Sequence, residues 1–271
     1  MGRTVRNVVI IALAALWSVP VYLLLVNAVT TPAADNGSPR WFPTSFGLLS
    51  NVASAWTDAQ LGPSFLNSVG YAAICGALAV AVAVATFAAF GVVIVSCRHP
   101  AVWFWGIYSG TLLPLQIFLA PLFKVYANHN LYDTRVGLGL IYTALCVPFA
   151  FFVIRNHLTT LPRSLVEAAN LDGASWWSMF WRIHLPLGRS AMAAAFLFQA
   201  TWVWNDLIFG ITLSTSPNVR PIVAALANVN GNYSNTPPPV LLAGALLVSL
   251  PTLPLFVFFQ RFFTTSLRTT V

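Results

Sequence analysis

Residues 8–29 read V-V-I-I-A-L-A-A-L-W-S-V-P-V-Y-L-L-L-V-N-A-V, a run without a single charged side chain. An α-helix rises 1.5 Å per residue, so about 20 apolar residues cross a hydrocarbon core of about 30 Å. The run is therefore read as a transmembrane helix. Arg3 and Arg6 precede it, as in a secretory signal. However, it outlasts the roughly 7–15 residues of a signal's apolar region, and no clear small-x-small cleavage site follows, so it is read as an uncleaved first span.

Five further apolar stretches follow, at about 66–96, 101–123, 137–154, 190–213 and 240–260. The second is long enough to tilt or to project beyond the bilayer. Composition agrees: 58% of the 271 residues are hydrophobic and 7% are charged, against about 25% charged in a soluble domain. The expected fold class is all-α, a polytopic membrane protein with six transmembrane helices. Pro43, Gly62 and Pro63 punctuate the stretch 30–64, which is read as an irregular connector. Pro237, Pro238 and Pro239 form a stiff run before the last span.

The net charge of +7 comes from basic residues scattered between apolar runs, without the patch and interleaved aromatics of a nucleic-acid surface. With the N-terminus inside, nine of them (Arg3, Arg6, Arg98, Arg155, Arg163, Arg182, Arg189, Arg261, Arg268) fall in the cytoplasm. Four (Arg40, Lys124, Arg135, Arg220) fall outside. Positive loops are retained inside, so both termini are expected to be cytoplasmic, which fits an even number of spans. Twelve arginines against one lysine hint at a GC-rich bacterial genome.

Catalytic signatures are lacking. No G-x4-G-K-[ST] phosphate loop occurs, and Lys124 follows no glycine-rich turn. The four histidines, His99, His129, His157 and His184, lie in loops or at span ends without metal-ligand spacing. Cys75, Cys97 and Cys146 lie in or beside apolar segments without C-x-x-C spacing and are read as packing residues. The expectation is a transport subunit, with neither metal nor cofactor of its own.

The loop 155–189 carries most of the polar pattern. From Pro162 it reads P-R-S-L-V-E-A-A-N-L-D-G. Ser164 is placed to cap a helix over about Leu165–Asp172, Glu167 to complete a capping box, and Gly173 to end the helix in a left-handed turn. Leu165, Ala168, Ala169 and Asp172 would share one small, mostly apolar face. A helix this short is marginal alone, so it needs something to pack against. Two readings stand on these grounds: docking into a groove of a soluble partner, or lying on the inner leaflet.

A resemblance separates them. Glu167, Ala168, Ala169, Gly173, Ile183, Leu185 and Pro186 match the EAA-x3-G-x9-I-x-LP signature of binding-protein-dependent importer permeases at every fixed position. Asn67-Ser68, the stretch Leu131-Tyr132-Asp133-Thr134 with Gly137-Leu138, and Trp204-Asn205-Asp206 resemble the carbohydrate branch, of the maltose-permease type. The resemblance covers about residues 65–262. It implies a coupling helix, with Glu167, Ala168, Ala169, Asp172 and Gly173 meeting a cytoplasmic ATPase. It also implies a second related permease, two ATP-binding subunits that hold ATP and Mg, an extracytoplasmic solute-binding protein, a sugar-like substrate and a place in the bacterial inner membrane. The implied organisation is a first span and outer connector (1–64), a permease core (65–262) and a cytoplasmic tail (263–271). That tail lacks the family's glycine-rich ending, so no ATPase contact is inferred for it.

Candidates for the solute pathway are Gln116 in span three, Tyr142 in span four, and Gln199, Trp202, Asn205 and Asp206 in span five. On a straight helix Gln199, Trp202 and Asp206 share one face, with Asp206 about 24 Å up from Ser190. A carboxylate within a span must face protein or water. Asp206, near the outer end, therefore either lines or gates a passage, or makes an interhelical hydrogen bond or marks a solvated helix end. For the others, helix packing or an interfacial aromatic belt is the alternative to solute contact. The outer stretch 214–239, with Arg220 its only charge, reads equally as a solvated connector or as a surface for the binding protein. A rival class, an ion-gradient-driven transporter, would also have about six spans and a buried acid. An importer of a non-sugar solute such as glycerol phosphate would share the motifs.

Overall fold

A computed structural model describes residues 2–78, 81–95, 98–229, 236–254 and 256–257, with Arg3, 75–78, 81 and 82 described by their backbone only. The sequence-based readings of Cys97, of Arg261 and Arg268, and of the tail lie outside these residues, as does the side chain of Cys75. The regular elements among the described residues are all helical. In order the chain runs α1 (Arg3–Val29), α2 (Leu48–Asp58), α3 (Leu61–Gly70), a π-helical segment (Tyr71–Leu78), α4 (Ala81–Val93), α5 (Pro100–Tyr108) and α6 (Leu119–Asn128). Then come α7 (Arg135–Leu158), α8 (Arg163–Leu171), α9 (Trp176–Met179), a second π segment (Phe180–His184) and α10 (Leu185–Leu187). The last four are α11 (Arg189–Trp204), α12 (Ile208–Leu213), α13 (Ile222–Val229) and α14 (Pro238–Ser249).

Two compact units emerge, Met1–Pro63 with Ala225–Pro251, and Ser64–Ala224 with Thr252–Val271. In the first, α14 packs on α1 and α2. Close approach there depends on Gly244: a Cβ at this position would lie 2.6 Å from Leu226 Cδ1 and 3.2 Å from Ala55 Cβ. The supposed irregular connector contains α2, and the correction has a simple cause. Asn51, Ala55 and Ala59 bury the face of this helix, so its inward stripe holds an amide where the eye looks for an apolar residue. Asn51 Nδ2 donates to the carbonyl oxygens of Ala28 and Thr30, at 2.8 Å each, and so satisfies the C-terminal end of α1. Asn51→Ala is expected to cost about 1–3 kcal/mol, measured as a loss of thermal stability in detergent.

In the second unit α7 is central and packs against α4, α11 and the first π segment. Leu138, Tyr142, Cys146, Ala150, Ile154 and Leu158 are all buried, a ridge at intervals of four suited to helix–helix packing. Thr134 Oγ1 caps α7 by accepting from the Gly137 amide at 3.0 Å. Gly137 is required, since a Cβ would stand 2.2 Å from the Leu131 carbonyl oxygen.

Among the described residues two helices, Thr4–Val29 and Arg135–Leu158, are long and apolar enough to cross a membrane unbroken. The apolar stretch 101–123 is not one straight helix: Pro100–Thr111 and Leu115–Asn128 meet at 82°. Pro114 lies in the break, where it lacks an amide hydrogen and holds the residue before it out of helical geometry. The stretch 190–213 is likewise divided between α11 and α12.

Candidate functional site

The loop 155–189 presents α8 on a packed base. The helix begins at Arg163, with Pro162 at its N-cap and no side chain capping it. The expected capping box from Ser164 and Glu167 does not form. Pro162 supplies an already fixed φ at the entry, which moves the start forward so that Ser164 lies inside the first turn. The C-terminus follows the cap pattern. Gly173 has φ +70°, its amide donates to the Asn170 carbonyl oxygen at 3.1 Å, and the Ala174 amide donates to the Ala169 carbonyl oxygen at 2.9 Å. This pair of bonds is a Schellman closure.

The expected shared face of α8 divides. Ala169 is buried, with Val166 packed beside it, in a cluster that includes Phe90, Phe151, Ile154, Leu158, Met179 and Phe180. Leu165, Glu167, Ala168, Leu171 and Asp172 are exposed, Leu171 at 90%. Ala169 therefore anchors the helix, and its neighbours form the free surface. A hundred-degree step per residue separates Ala168 from Ala169, which was enough to place them on different faces.

His184 closes the same cluster. It is buried, its ring sits 5.1 Å from Phe90, and among the described residues neither ring nitrogen has a hydrogen-bond partner. Burial pushes its pKa below the ordinary 6.5. The folded state thus prefers the neutral ring, and below about pH 6.5 the unfolded chain binds the extra proton. Heat stability is expected to fall as the pH drops from about 7.5 to about 5.5, and His184→Phe is expected to flatten that dependence. Thermal unfolding followed across this range tests both.

The second feature is a cavity of about 910 Å³ in the same unit. Gln116, Trp202, Asn205 and Asp206 line it, together with Thr201 and apolar residues that include Leu115, Phe198 and Phe256. Its α11 side includes Phe198, Thr201, Trp202 and the C-cap Asn205, spaced i, i+3, i+4 and i+7, with Leu197 beside them. The straight-helix grouping of Gln199, Trp202 and Asp206 fails because α11 ends at Trp204. Gln199 is buried off the cavity face and donates to the Cys146 carbonyl oxygen at 3.0 Å. It lines a separate space of about 310 Å³ with Trp202 and Thr111.

Asp206 sits just past the break and caps α12. Its Oδ2 accepts from the Gly210 amide at 2.9 Å and from the Tyr142 hydroxyl at 2.8 Å, and its Oδ1 accepts from the Phe209 amide at 3.4 Å. Tyr142 is fully buried behind it, edge-on to Trp202 with ring centroids 6.3 Å apart. Asn205 donates to the Thr201 carbonyl oxygen at 2.8 Å, closing the last turn of α11. Thr201 is not among the residues that the sequence singles out, although its i+4 spacing to Asn205 is visible there.

Residues 100–268 match the family of binding-protein-dependent transport system inner membrane components. This chain belongs to that family. The permease is similar to the osmoprotective compounds uptake permease protein GgtD of Synechocystis sp., at 32% identity over 95% of this chain and 88% of the relative. It is also similar to the diacetylchitobiose uptake system permease protein NgcG of Streptomyces coelicolor, at 29% identity over 92% and 83% respectively. Among solved structures it resembles a chain of a bacterial ABC transporter involved in the import of the acidic polysaccharide alginate. That likeness has a TM-score of 0.77, with 97% of this chain and 99% of the other covered. Identity there is 20%, so this likeness speaks for the fold alone. The permease is thus an all-α inner-membrane transport subunit of an importer that works with a binding protein.

The Leu131–Thr134 motif has a structural role in this permease that its sequence did not reveal. Asp133, with φ +54°, accepts at Oδ1 from the amides of Thr215 and Ser216, at 2.8 and 3.0 Å, and from the Ser216 hydroxyl at 3.1 Å. Arg135 Nε donates to the Asn218 carbonyl oxygen at 2.8 Å. Burial pushes the Asp133 carboxyl upward, but the bonds from Ser216 and Thr215 outweigh it, so the group is held below the ordinary carboxylate range. The start of α7 and the segment after α12 are thereby clamped together.

Proposed function

We propose that the permease carries a sugar or sugar-like solute into the cytoplasm by alternating access, driven by separate ATPase subunits. The observation that carries this reading is α8: anchored through Ala169 to the ridge of α7 and locked at Gly173, it leaves Glu167, Ala168, Leu171 and Asp172 free for a partner. A helix fixed on one side and free on the other transmits displacement as a rigid lever. Glu167, Ala168 and Asp172 would meet the ATPase, with Ala169 and Gly173 holding the lever in place.

In this reading the loop 155–189 and both termini are cytoplasmic, as the charge balance favours. ATP and Mg are held by the two ATPase subunits, and the permease performs no hydrolysis itself. A second, related permease completes the passage, and the segment 214–239 faces the binding protein. Gln116, Trp202, Asn205 and Thr201 offer amides, a hydroxyl and an indole to the solute within an otherwise apolar cavity, the usual composition of a small-molecule site. Tyr142, Gln199 and Asp206 hold the helices that shape it. The sugar assignment draws on the EAA and W-N-D motifs and on the diacetylchitobiose relative.

Reconstitution into proteoliposomes with and without the ATPase subunits tests the proposal. Uptake is expected only with ATP hydrolysis. Accumulation driven by a proton gradient alone would overturn it in favour of a secondary transporter.

A further inference from the structure

Resting on that reading, the lining of the 910 Å³ cavity narrows the solute. Among the described lining residues there is no lysine, arginine or histidine. The ionisable group present is an acid, Asp206, and its two oxygens are already engaged by the Tyr142 hydroxyl and the Gly210 and Phe209 amides. Its hydrogen-bonding capacity is thus turned into the protein. The other polar groups lining the cavity are the neutral Gln116, Thr201, Asn205 and Thr252, with the half-buried Trp202 among leucine, isoleucine and phenylalanine side chains.

We infer that this cavity selects an uncharged, multiply hydroxylated solute and rejects phosphate- or carboxylate-bearing ones. An anion entering it would shed water and find neither a cation nor a helix N-terminus free to replace that hydration, since Asp206 occupies the N-terminal amides of α12. The carboxylate itself would repel the anion in a medium of reduced dielectric. A neutral sugar loses less. Its hydroxyls can exchange bonds with two amides and with threonine hydroxyls, and its C–H face can lie on the apolar wall or on the Trp202 ring. Selection by charge therefore comes from what the wall cannot offer an anion, a penalty against the wrong solute rather than an added attraction for the right one.

The complete importer, reconstituted with its second permease, ATPase subunits and binding protein, is offered raffinose, maltose and N,N′-diacetylchitobiose as neutral probes. Glycerol 3-phosphate and an alginate trisaccharide serve as the anionic ones. ATP-dependent uptake of at least one neutral probe is expected, exceeding that of either anion by on the order of tenfold or more, about one 1.4 kcal/mol step. Gln116→Arg, or Thr201→Lys as a second placement of a cation, is expected to lower the neutral-to-anion ratio about tenfold. Thermal shifts of the purified importer with each probe give, in parallel, the neutral-to-anion preference in binding.

Uptake of an anion by the unaltered importer at a rate comparable to the sugars overturns the inference while leaving ATP-driven import standing. So does a ratio unmoved in both readouts by both substitutions. ATP-dependent uptake of an anion with none of any neutral probe overturns it likewise, whereas uptake driven by a proton gradient without ATP removes the import reading and this inference with it.

Discussion

Gly173→Pro is expected to leave the permease in the membrane and to reduce ATP-coupled solute uptake on the order of tenfold or more. Proline fixes φ near −65°, whereas Gly173 stands at +70°, and its amide closes the end of α8 on the Asn170 carbonyl oxygen. The substitution removes both the turn and the bond. The chain beyond Gly173 must leave α8 in another direction, and the lever loses its rigid end. The hydrophobic anchor at Ala169 and the ridge of α7 are untouched, so membrane insertion is expected to persist. Glu167→Lys separates surface from fold. Glu167 is exposed and has no hydrogen bond or ion pair among the described residues, so its replacement should shift stability by less than about 0.5 kcal/mol. Reversing its charge is nevertheless expected to lower coupled uptake. Membrane-fraction yield, ATPase activity and uptake measured together on both variants decide the matter. Normal coupled uptake by both would refute the joint assignment.

Asp206→Ala is expected to destabilise the permease by about 2–4 kcal/mol. Two losses combine. The amides of Phe209 and Gly210 lose their cap at the start of α12, and the hydroxyl of the fully buried Tyr142 loses the carboxylate it donates to. Tyr142→Phe is expected to cost less, about 0.5–1.5 kcal/mol, because Asp206 keeps its backbone donors. If the pair acts as described, the double variant should be less destabilised than the sum of the single ones. Strict additivity in a thermal-unfolding cycle would show that the two do not act through one bond. Uptake should fall with Asp206→Ala as well, since the α11–α12 break that shapes the cavity wall depends on this cap.

The parts of the site that sequence revealed are those whose signal is local. An EAA loop is legible because seven residues at fixed intervals act within one short segment, and the Gly173 turn follows from one residue's backbone freedom. Gln116, Trp202, Asn205 and Asp206 stand out as polar or aromatic residues in or beside apolar spans, and they do share a cavity wall. Their grouping was not legible. Hydropathy extends one helix through Asn205 and Asp206, because it does not register a carboxylate capping the next helix. The amphipathic α2 was hidden for a related reason, because its buried Asn51 satisfies backbone carbonyls that only folding brings near.

Composition and residue order by themselves determined that this chain must reside in lipid and where its apolar stretches lie. They also fixed where the short helix before Gly173 ends. These follow from side-chain transfer energies and from dihedral preferences, which act residue by residue. Only the tertiary structure decided that Ala169 faces inward while Glu167 and Leu171 face out, that Asp206 is spent on Tyr142 and α12, and that Thr201 belongs to the cavity. Each of these depends on which atoms stand opposite one another across two elements, and hydrogen bonds and packing energies exist only once that distance has closed.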